Sequence, residues 1–349
     1  MKKPNRVAII GAGIAGLSCA TALQKAGFKV TVFEKSRGAS GRISTRVTEQ
    51  WQCDHGAQYF TARDPLFHAE VQRWLKADVA RLWQPVLQVF DGNTFTAKAN
   101  DDETDHLRYV GYPKNNAPGK WLAASLDVAF ETTVTSIQKH ANHWQVSSKE
   151  HGLYADNFDM VILCIPAPQA AALMQNTASE LKNLCNAVTM RPCFALMVQL
   201  SPMVDGQLDG LFINSGLLSW AARESSKPGR PQDPSHQRET WVLHASSDWS
   251  KAHVDDDKAS VTQQMLGEFM TIMQGANLSK DNQAASIAVE SVVLHRWLYA
   301  DCDQYLTNVY AFDDEHKIGL CGDWLNGGKV QGAWLSGLML ANNLIEGSR

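Results

Sequence analysis

The chain has 349 residues, of which 44% are hydrophobic and 19% charged, with a formal net charge of −4 at pH 7. This is the composition of a globular chain with enough residues for two domains and a substantial core, and its slight acidity gives no electrostatic basis for binding nucleic acid or an anionic membrane. Seven scattered cysteines without C-x-x-C spacing argue against a disulfide framework or zinc site and for reduced thiols in a cytoplasmic setting.

Arg6 to Ile10 reads as a short central parallel strand, followed at once by Gly11-Ala12-Gly13-Ile14-Ala15-Gly16 and a helix from Leu17 to Ala26, stopped by Gly27. A second strand, Lys29 to Phe33, ends on Glu34. In such a fingerprint Gly11 allows the tight turn, Gly13 lets backbone approach a pyrophosphate, and Gly16 lets the helix pack on the strand. The helix N-terminus offers free N–H groups to phosphates, and Glu34 is placed to accept from a ribose 2′-OH. The lysines at 2 and 3 before an apolar stretch imitate a leader peptide, but the fingerprint occupies that stretch, so no cleaved leader is expected. No apolar run has the roughly 18 residues of a membrane span. The fingerprint with its strand, helix and acid predicts a dinucleotide site.

The next stretch, Ser36 to Arg42 followed by Ile43-Ser44-Thr45-Arg46, is rich in glycine and arginine. A domain binding only NAD needs no such loop. FAD lies extended, and the chain must run back along its pyrophosphate, where Arg42 would neutralise charge; the competing reading of Arg42 is a solvated surface cation. Cys53 to Pro65 mixes aromatic, amide and imidazole groups beside Gly56, which suits a segment passing the edge of a ring. Phe67 to Leu75 is an amphipathic helix whose apolar face is read as packing.

Residues 81–96 read as paired strands, Asp101 to Asp105 as a solvated acidic loop, and Lys120 to Ala129 as a helix. Phe130 to Ile137 is strand-like, and Trp144 begins another strand. Asn157 to Ile165 is a second buried parallel strand that leaves the sheet at Pro166. From Pro192 to Tyr299 the pattern changes to long strands at Phe194–Leu200, Leu217–Ala222, Thr240–Ser246 and Ile287–Tyr299, with one helix near Lys258 to Met273. That pattern predicts an antiparallel sheet with helical cover. Ser225 to His236 is read as a long, exposed, mobile loop. The chain then returns to the first domain with a buried strand, Ile318 to Asp323, and a terminal helix starting near Gly332, whose dipole would point toward Asp323. The expected architecture is α/β: a Rossmann-type FAD domain from residues 1–64, 120–166 and 310–349, and an α+β substrate domain from 65–119 and 167–309. A second G-x-G-x-x-G is absent, so any nicotinamide would enter as a substrate.

Several motifs together resemble the renalase family and its bacterial relatives within the flavin amine oxidase superfamily. They are Gly11 to Gly16, Gly41 to Arg46, Asp54 to Arg63, His295 to Ala300, Gly322-Asp323-Trp324 and Gly332 to Gly337. The resemblance implies non-covalent FAD and an oxidase of 2- or 6-dihydronicotinamide dinucleotides that uses O₂ and yields H₂O₂. It further implies that Gly11, Gly13, Ile14, Ala15, Gly16, Glu34, Lys35, Gly41 and Arg42 hold the ADP half, with Val134 near the adenine. His55, Gly56, Ala57, Gln58, Tyr59, Gly322, Asp323, Gly332 and Ala333 would lie along the flavin and ribityl. Two departures stand out: Ser40-Gly41-Arg42 replaces the superfamily's Gly-Gly-Arg, and Lys329 and Gln331 stand where an arginine and an acid are expected. Cys321, ahead of the Gly-Asp pair, is read as a buried structural thiol.

On the late strand, His295, Trp297 and Tyr299 share one face and Arg296 the other, while Trp220, Trp241 and His244 come from neighbouring strands. His295, Trp297 and Tyr59 are the candidate substrate-pocket residues, and core packing is the competing role for each aromatic. No metal ligand set is expected, and the partners are a small-molecule substrate and O₂. Two further readings remain: a flavin amine oxidase or dehydrogenase with another organic substrate, and a flavin-binding protein without turnover.

Overall fold

The computed structural model describes residues 5–98, 107–177, 179–201, 208–231, 233, 237–275 and 287–348. In chain order the first part carries β1 (Arg6–Ile10), α1 (Ile14–Lys25), β2 (Lys29–Phe33), β3 (Thr45–Val47), β4 (Gln52–Asp54) and α2 (Pro65–Lys76). Then come β5 (Ala80–Trp83), β6 (Leu87–Phe90), β7 (Phe95–Ala97), β8 (Arg108–Gly111), α3 (Ala117–Ala123) and β9 (Asp127–Ala129). The middle holds β10 (Val134–His140), β11 (His143–Ser148), β12 (Gly152–Leu153), β13 (Met160–Leu163), α4 (Ala167–Leu173), α5 (Leu181–Asn186) and β14 (Met190–Ser201). The rest is β15 (Gly210–Ile213), β16 (Leu218–Arg223), β17 (Glu239–Ala245), α6 (Ser247–Ala252), α7 (Lys258–Gly275), β18 (Ala288–Cys302), β19 (Tyr310–Asp313), β20 (Ile318–Cys321) and α8 (Lys329–Gly347).

Two large sheets organise these elements. The first is six-stranded in the order β19-β20-β13-β1-β2-β9; β20, β13, β1, β2 and β9 run parallel, and only β19 is antiparallel to its neighbour. Its four inner strands are apolar and largely buried because the sheet is covered on both faces. Val7 and Ile9 face one cluster with α1, α2 and α8; Ala8 and Ile10 face the other with α4 and the small β10-β11-β12 sheet. The second sheet is seven-stranded in the order β18-β14-β17-β16-β15-β6-β7. It is antiparallel apart from the β6–β15 pair, and α7 buries Val261, Met265 and Phe269 against it.

The doubly wound domain and the antiparallel sheet with helical cover are as expected, and four details differ. The predicted Lys120–Ala129 helix ends at Ala123; Asp127–Ala129 is instead a strand beside β2, and the strand predicted from Phe130 begins at Val134. Residues 81–96 do not form one pair, since β5 joins β8 while β6 and β7 pair with each other. The terminal helix begins at Lys329, not Gly332; Gly328, with φ 72°, turns the chain into it. The loop after β16 is not simply exposed, because Glu224, Lys227 and Arg230 are buried. The acidic stretch 101–105 lies outside the described residues.

Candidate active site

The cradle for a dinucleotide is built at the ends of β1 and β2. Gly11 turns with φ +105°, and a Cβ on it would lie 2.7 Å from the Cys164 carbonyl. A Cβ on Gly16 would lie 2.1 Å from the Gly11 carbonyl oxygen, so only glycine lets α1 start this close to the turn. A Cβ on Gly13, by contrast, would project into open space, which leaves its backbone approachable. Helix α1 has no acidic side chain in its first turn, so the N–H groups of Ile14, Ala15 and Gly16 retain their partial positive charge. The returning loop rests directly on this turn: Ser40 N donates to Ala12 O at 2.8 Å, and a Cβ on Gly41 would lie 3.3 Å from Gly13 Cα.

Glu34 is buried and braces the cradle. Its Oε2 accepts from Ala12 N at 2.8 Å and its Oε1 from Ser36 N at 2.9 Å; each oxygen retains lone-pair capacity for a ribose hydroxyl. Lys35 is exposed, and Val134 packs beside the cluster that contains Ile10 and Phe33.

Arg42 reaches across to the C-terminal segment. Its Nη2 pairs with Asp323 Oδ1 at 2.5 Å and its Nη1 donates to Ala300 O at 3.0 Å. The guanidinium therefore ties the loop to β18 and to the Gly322-Asp323 corner. A Cβ on Gly332 would lie 2.1 Å from Asn326 O, so this glycine lets α8 lie against the turn at 326–328. Ala333 is half-buried against the α1 side. Gln331 caps another element: its Oε1 accepts from Arg63 N at 2.7 Å and Asp64 N at 3.0 Å.

His55 to Tyr59 runs between the cradle and the second sheet. Gly56 backs onto Arg42, where a Cβ would meet the Arg42 carbonyl oxygen at 2.0 Å, and Ala57 N donates to that same oxygen at 2.9 Å. On the facing sheet the strand register puts Trp220 opposite His244, and both His244 and His295 opposite Ala195. Four neighbouring strands thus present one row, with a small residue between two imidazoles. His295 meets His55 with ring centroids 4.8 Å apart and Trp297 at 4.4 Å. Trp297 stacks on His55 at 5.2 Å and donates from Nε1 to the His55 carbonyl at 2.9 Å. Tyr59 lies between Trp83 and Trp220, 5.9 and 6.0 Å away. Trp241 belongs to the other face, where it packs on Phe269 and donates to Glu239.

The imidazoles in this row are held neutral. Burial, reinforced by His295 and Arg46, pulls His55 down to about 3, and burial with Lys227 nearby pulls His244 down to about 4. Burial and Arg46 also lower His295. The His55 Nδ1, His244 Nε2 and Trp220 Nε1 atoms are buried without a protein partner. Such atoms carry a desolvation cost unless a ligand or water meets them.

Sequence reading missed three supporting residues. Asn115 is fully buried, donates to Ala57 O at 2.6 Å and accepts from Gly111 N at 2.9 Å. Lys227 and Arg230 hold Asp54 from behind. Asn115 sits among the turn-forming residues Tyr112 to Gly119, a weak signal, and the two cations carry no local signal.

Comparison with known proteins places this geometry. An NAD(P)-binding Rossmann-like domain profile matches residues 9–76, and the profile of flavin containing amine oxidoreductase matches residues 113–345, more than half of the chain. The chain belongs to the flavin-containing amine oxidoreductase family. FAD is its cofactor, and the open backbone at Gly13, the uncapped start of α1 and the braced Glu34 fit that group. An L-amino-acid oxidase from Sistrurus catenatus edwardsii is 41% identical over 73 residues, which is 21% of this chain and 13% of that enzyme. The chain thus matches only a small share of the length of such curated relatives. A crystal structure from Exiguobacterium sp. 255-15 superposes with TM-score 0.76 at 11% identity, covering 99% of both chains. A putrescine oxidase triple mutant gives 0.70 at 12% identity, covering 98% of this chain and 99% of that one. At these identities the likeness is one of fold. All seven cysteines are free. Cys321 is buried with its Sγ 3.2 Å from that of Cys164. No helix among the described residues is long and apolar enough to cross a membrane, and no cluster among them could hold a metal ion.

Proposed function

We propose that this flavoprotein oxidises 2- or 6-dihydronicotinamide dinucleotides, taking a hydride from the reduced ring and passing the electrons to O₂. One dihydronicotinamide, one O₂ and one proton then give the aromatic nicotinamide cation and one H₂O₂. The observation that carries this reading is the uncharged aromatic wall formed by His55, His244, His295, Trp297, Trp220 and Tyr59. A planar, uncharged dihydropyridine can stack there and aromatises on hydride loss without a general base. A protonated amine would need a counter-ion and a base, and the acid on this segment, Asp54, is already taken by Thr45, Lys227 and Arg230.

In this reading Gly11, Gly13 to Gly16, Glu34, Lys35, Gly41 and Arg42 hold the ADP half, with Val134 toward the adenine. His55 to Tyr59, Gly322, Asp323, Gly332 and Ala333 line the flavin and ribityl. FAD supplies the hydride acceptor and the path to O₂. His295 and Trp297 orient the substrate ring, and Trp297 also fixes the His55 backbone through its indole N–H. The start of α8 favours negative charge near it. The seven free thiols support a reducing, cytoplasmic setting.

Anaerobic mixing tests the assignment. The flavin should bleach rapidly with the 2- or 6-dihydro isomers and little with β-NADH or a panel of small amines, and air should restore the spectrum with one H₂O₂ per hydride. Faster bleaching by an amine would replace this substrate with the second reading, an amine or other organic donor, which the family membership favours. Reduced flavin that persists in air for minutes would make the protein a dehydrogenase.

A further inference from the structure

Four charged side chains are buried together behind the His55–Tyr59 segment. Asp54, Glu224, Lys227 and Arg230 are each 5% exposed or less. Lys227 Nζ donates to Glu224 Oε2 at 3.0 Å, to Gln58 Oε1 at 3.0 Å and to Asp54 Oδ2 at 3.4 Å. Arg230 bonds Asp54 through Nη2 and Glu224 through Nε at 3.3 Å, and its Nη1 donates to the carbonyls of Gly111 and Pro113 at 2.8 and 3.0 Å. Two cations and two anions balance in charge, so the group can stay ionised away from water. Buried ion pairs are poor sources of net stability, because desolvation offsets most of their attraction. What they do well is fix geometry.

The geometry they fix here is that of Gln58. Its Nε2 donates to the carbonyls of Asp54 at 2.6 Å and Gly56 at 3.1 Å, closing the turn that carries His55. An ammonium can only donate. Lys227 therefore requires the amide oxygen of Gln58 to face it, and this leaves the amide NH₂ facing the two carbonyls. A flipped amide would turn its NH₂ toward Lys227 and lose both the ammonium bond and the brace. On its other side the same turn is fastened to Arg42 through Ala57 N. A chain of contacts thus runs from the loop after β16 through Gln58 to His55, Gly56 and Arg42.

We propose that Lys227 is a positioning residue of the flavin site: by fixing the orientation of Gln58 it sets the His55–Ala57 backbone against which FAD binds. This rests on the reading that residues 55–59 lie along the flavin. The experiment is a double-mutant cycle on FAD affinity, read by flavin fluorescence titration of the apoprotein, with apo melting temperature and bound-flavin absorption recorded alongside. Lys227→Met and Gln58→Met are each expected to weaken FAD by about tenfold, the scale of losing a charged hydrogen bond. The double variant should be no worse than either single one, and the flavin band should shift in the same way in all three. Should Lys227→Met alone fail to fold, Lys227→Met combined with Glu224→Gln removes one charge of each sign and takes its place. A lowered melting temperature with wild-type FAD affinity and spectrum would overturn the proposal, as would additive losses in the cycle. If Gln58→Met and His55→Ala also leave FAD affinity unchanged, the reading of this segment as the flavin contact falls, and the proposal with it.

Discussion

Glu34 serves the loop and the ligand with the same two oxygens. Both already accept backbone N–H groups from the glycine turn and from the residue after Lys35, so a cation at this position removes ribose acceptors and loosens the turn together. Glu34→Arg should weaken FAD by at least about tenfold, since a charged hydrogen bond contributes about 1.5–3 kcal/mol. Unchanged flavin occupancy in a titration would exclude Glu34 as the ribose ligand. The neutral imidazoles make a different prediction. His244 is partly buried and is pulled down to about 4, against 6.5 for a free imidazole, because burial and then Lys227 oppose its charging. Between those values the unfolded chain binds the proton and the native one does not, so stability is complete above pH 6.5 and is lost as pH falls toward 4. The full effect is about 3 kcal/mol. His55, held near 3, extends the same loss to lower pH. The apoprotein melting temperature should therefore fall across this window, and His244→Phe should fall less steeply. Parallel curves for the two proteins would mean that His244 is charged in the native state.

Helices α1 and α8 come from opposite ends of the sequence and touch through a glycine. A Cβ on Gly337 would lie 2.1 Å from the Ala15 carbonyl oxygen and 3.1 Å from Cys19 N, and Ser18 Oγ donates to Trp334 O at 2.9 Å beside that contact. Gly337→Ala must push α8 away from the first turn of α1, the turn proposed to receive the phosphates. We expect a destabilisation of about 1–3 kcal/mol together with weaker FAD binding; unchanged melting and unchanged titration would both contradict it. The elements most legible in the sequence were those whose logic is local. The β1–α1–β2 unit announces itself by glycine spacing, and β14 and β18 by length. Strand β9 was hidden because three residues at a sheet edge, following a helix-forming Leu122-Ala123-Ala124, have no period to detect. The candidate site was legible where a motif names its own residues, from Gly11 to Gly16 and at His295 and Trp297. It was opaque where partners are remote: Lys227 and Arg230 look like solvated loop cations, and the carboxylate that buries them is 173 and 176 residues away in sequence.

At the scale of the whole molecule, the loops at the sheet ends bring the cradle, the His55 segment and the aromatic row together. With all seven thiols free and Cys321 buried beside Cys164, we expect acid or heat to release intact FAD from a yellow protein. Flavin that stays with the denatured polypeptide would contradict this, and a colourless protein that takes up no added FAD would contradict the dinucleotide cradle itself. The six-stranded sheet also has a bearing on biosynthesis. Its central strand β1 is made long before β20 and α8, which complete the sheet and press on α1. Until residues 318 to 347 have emerged, the nascent first helix has α3 beside it but lacks α8, its larger helix neighbour. Flavin capture should then wait until α8 has emerged and docked, and ribosome-arrested chains stalled before residue 318 should be protease-sensitive and flavin-free.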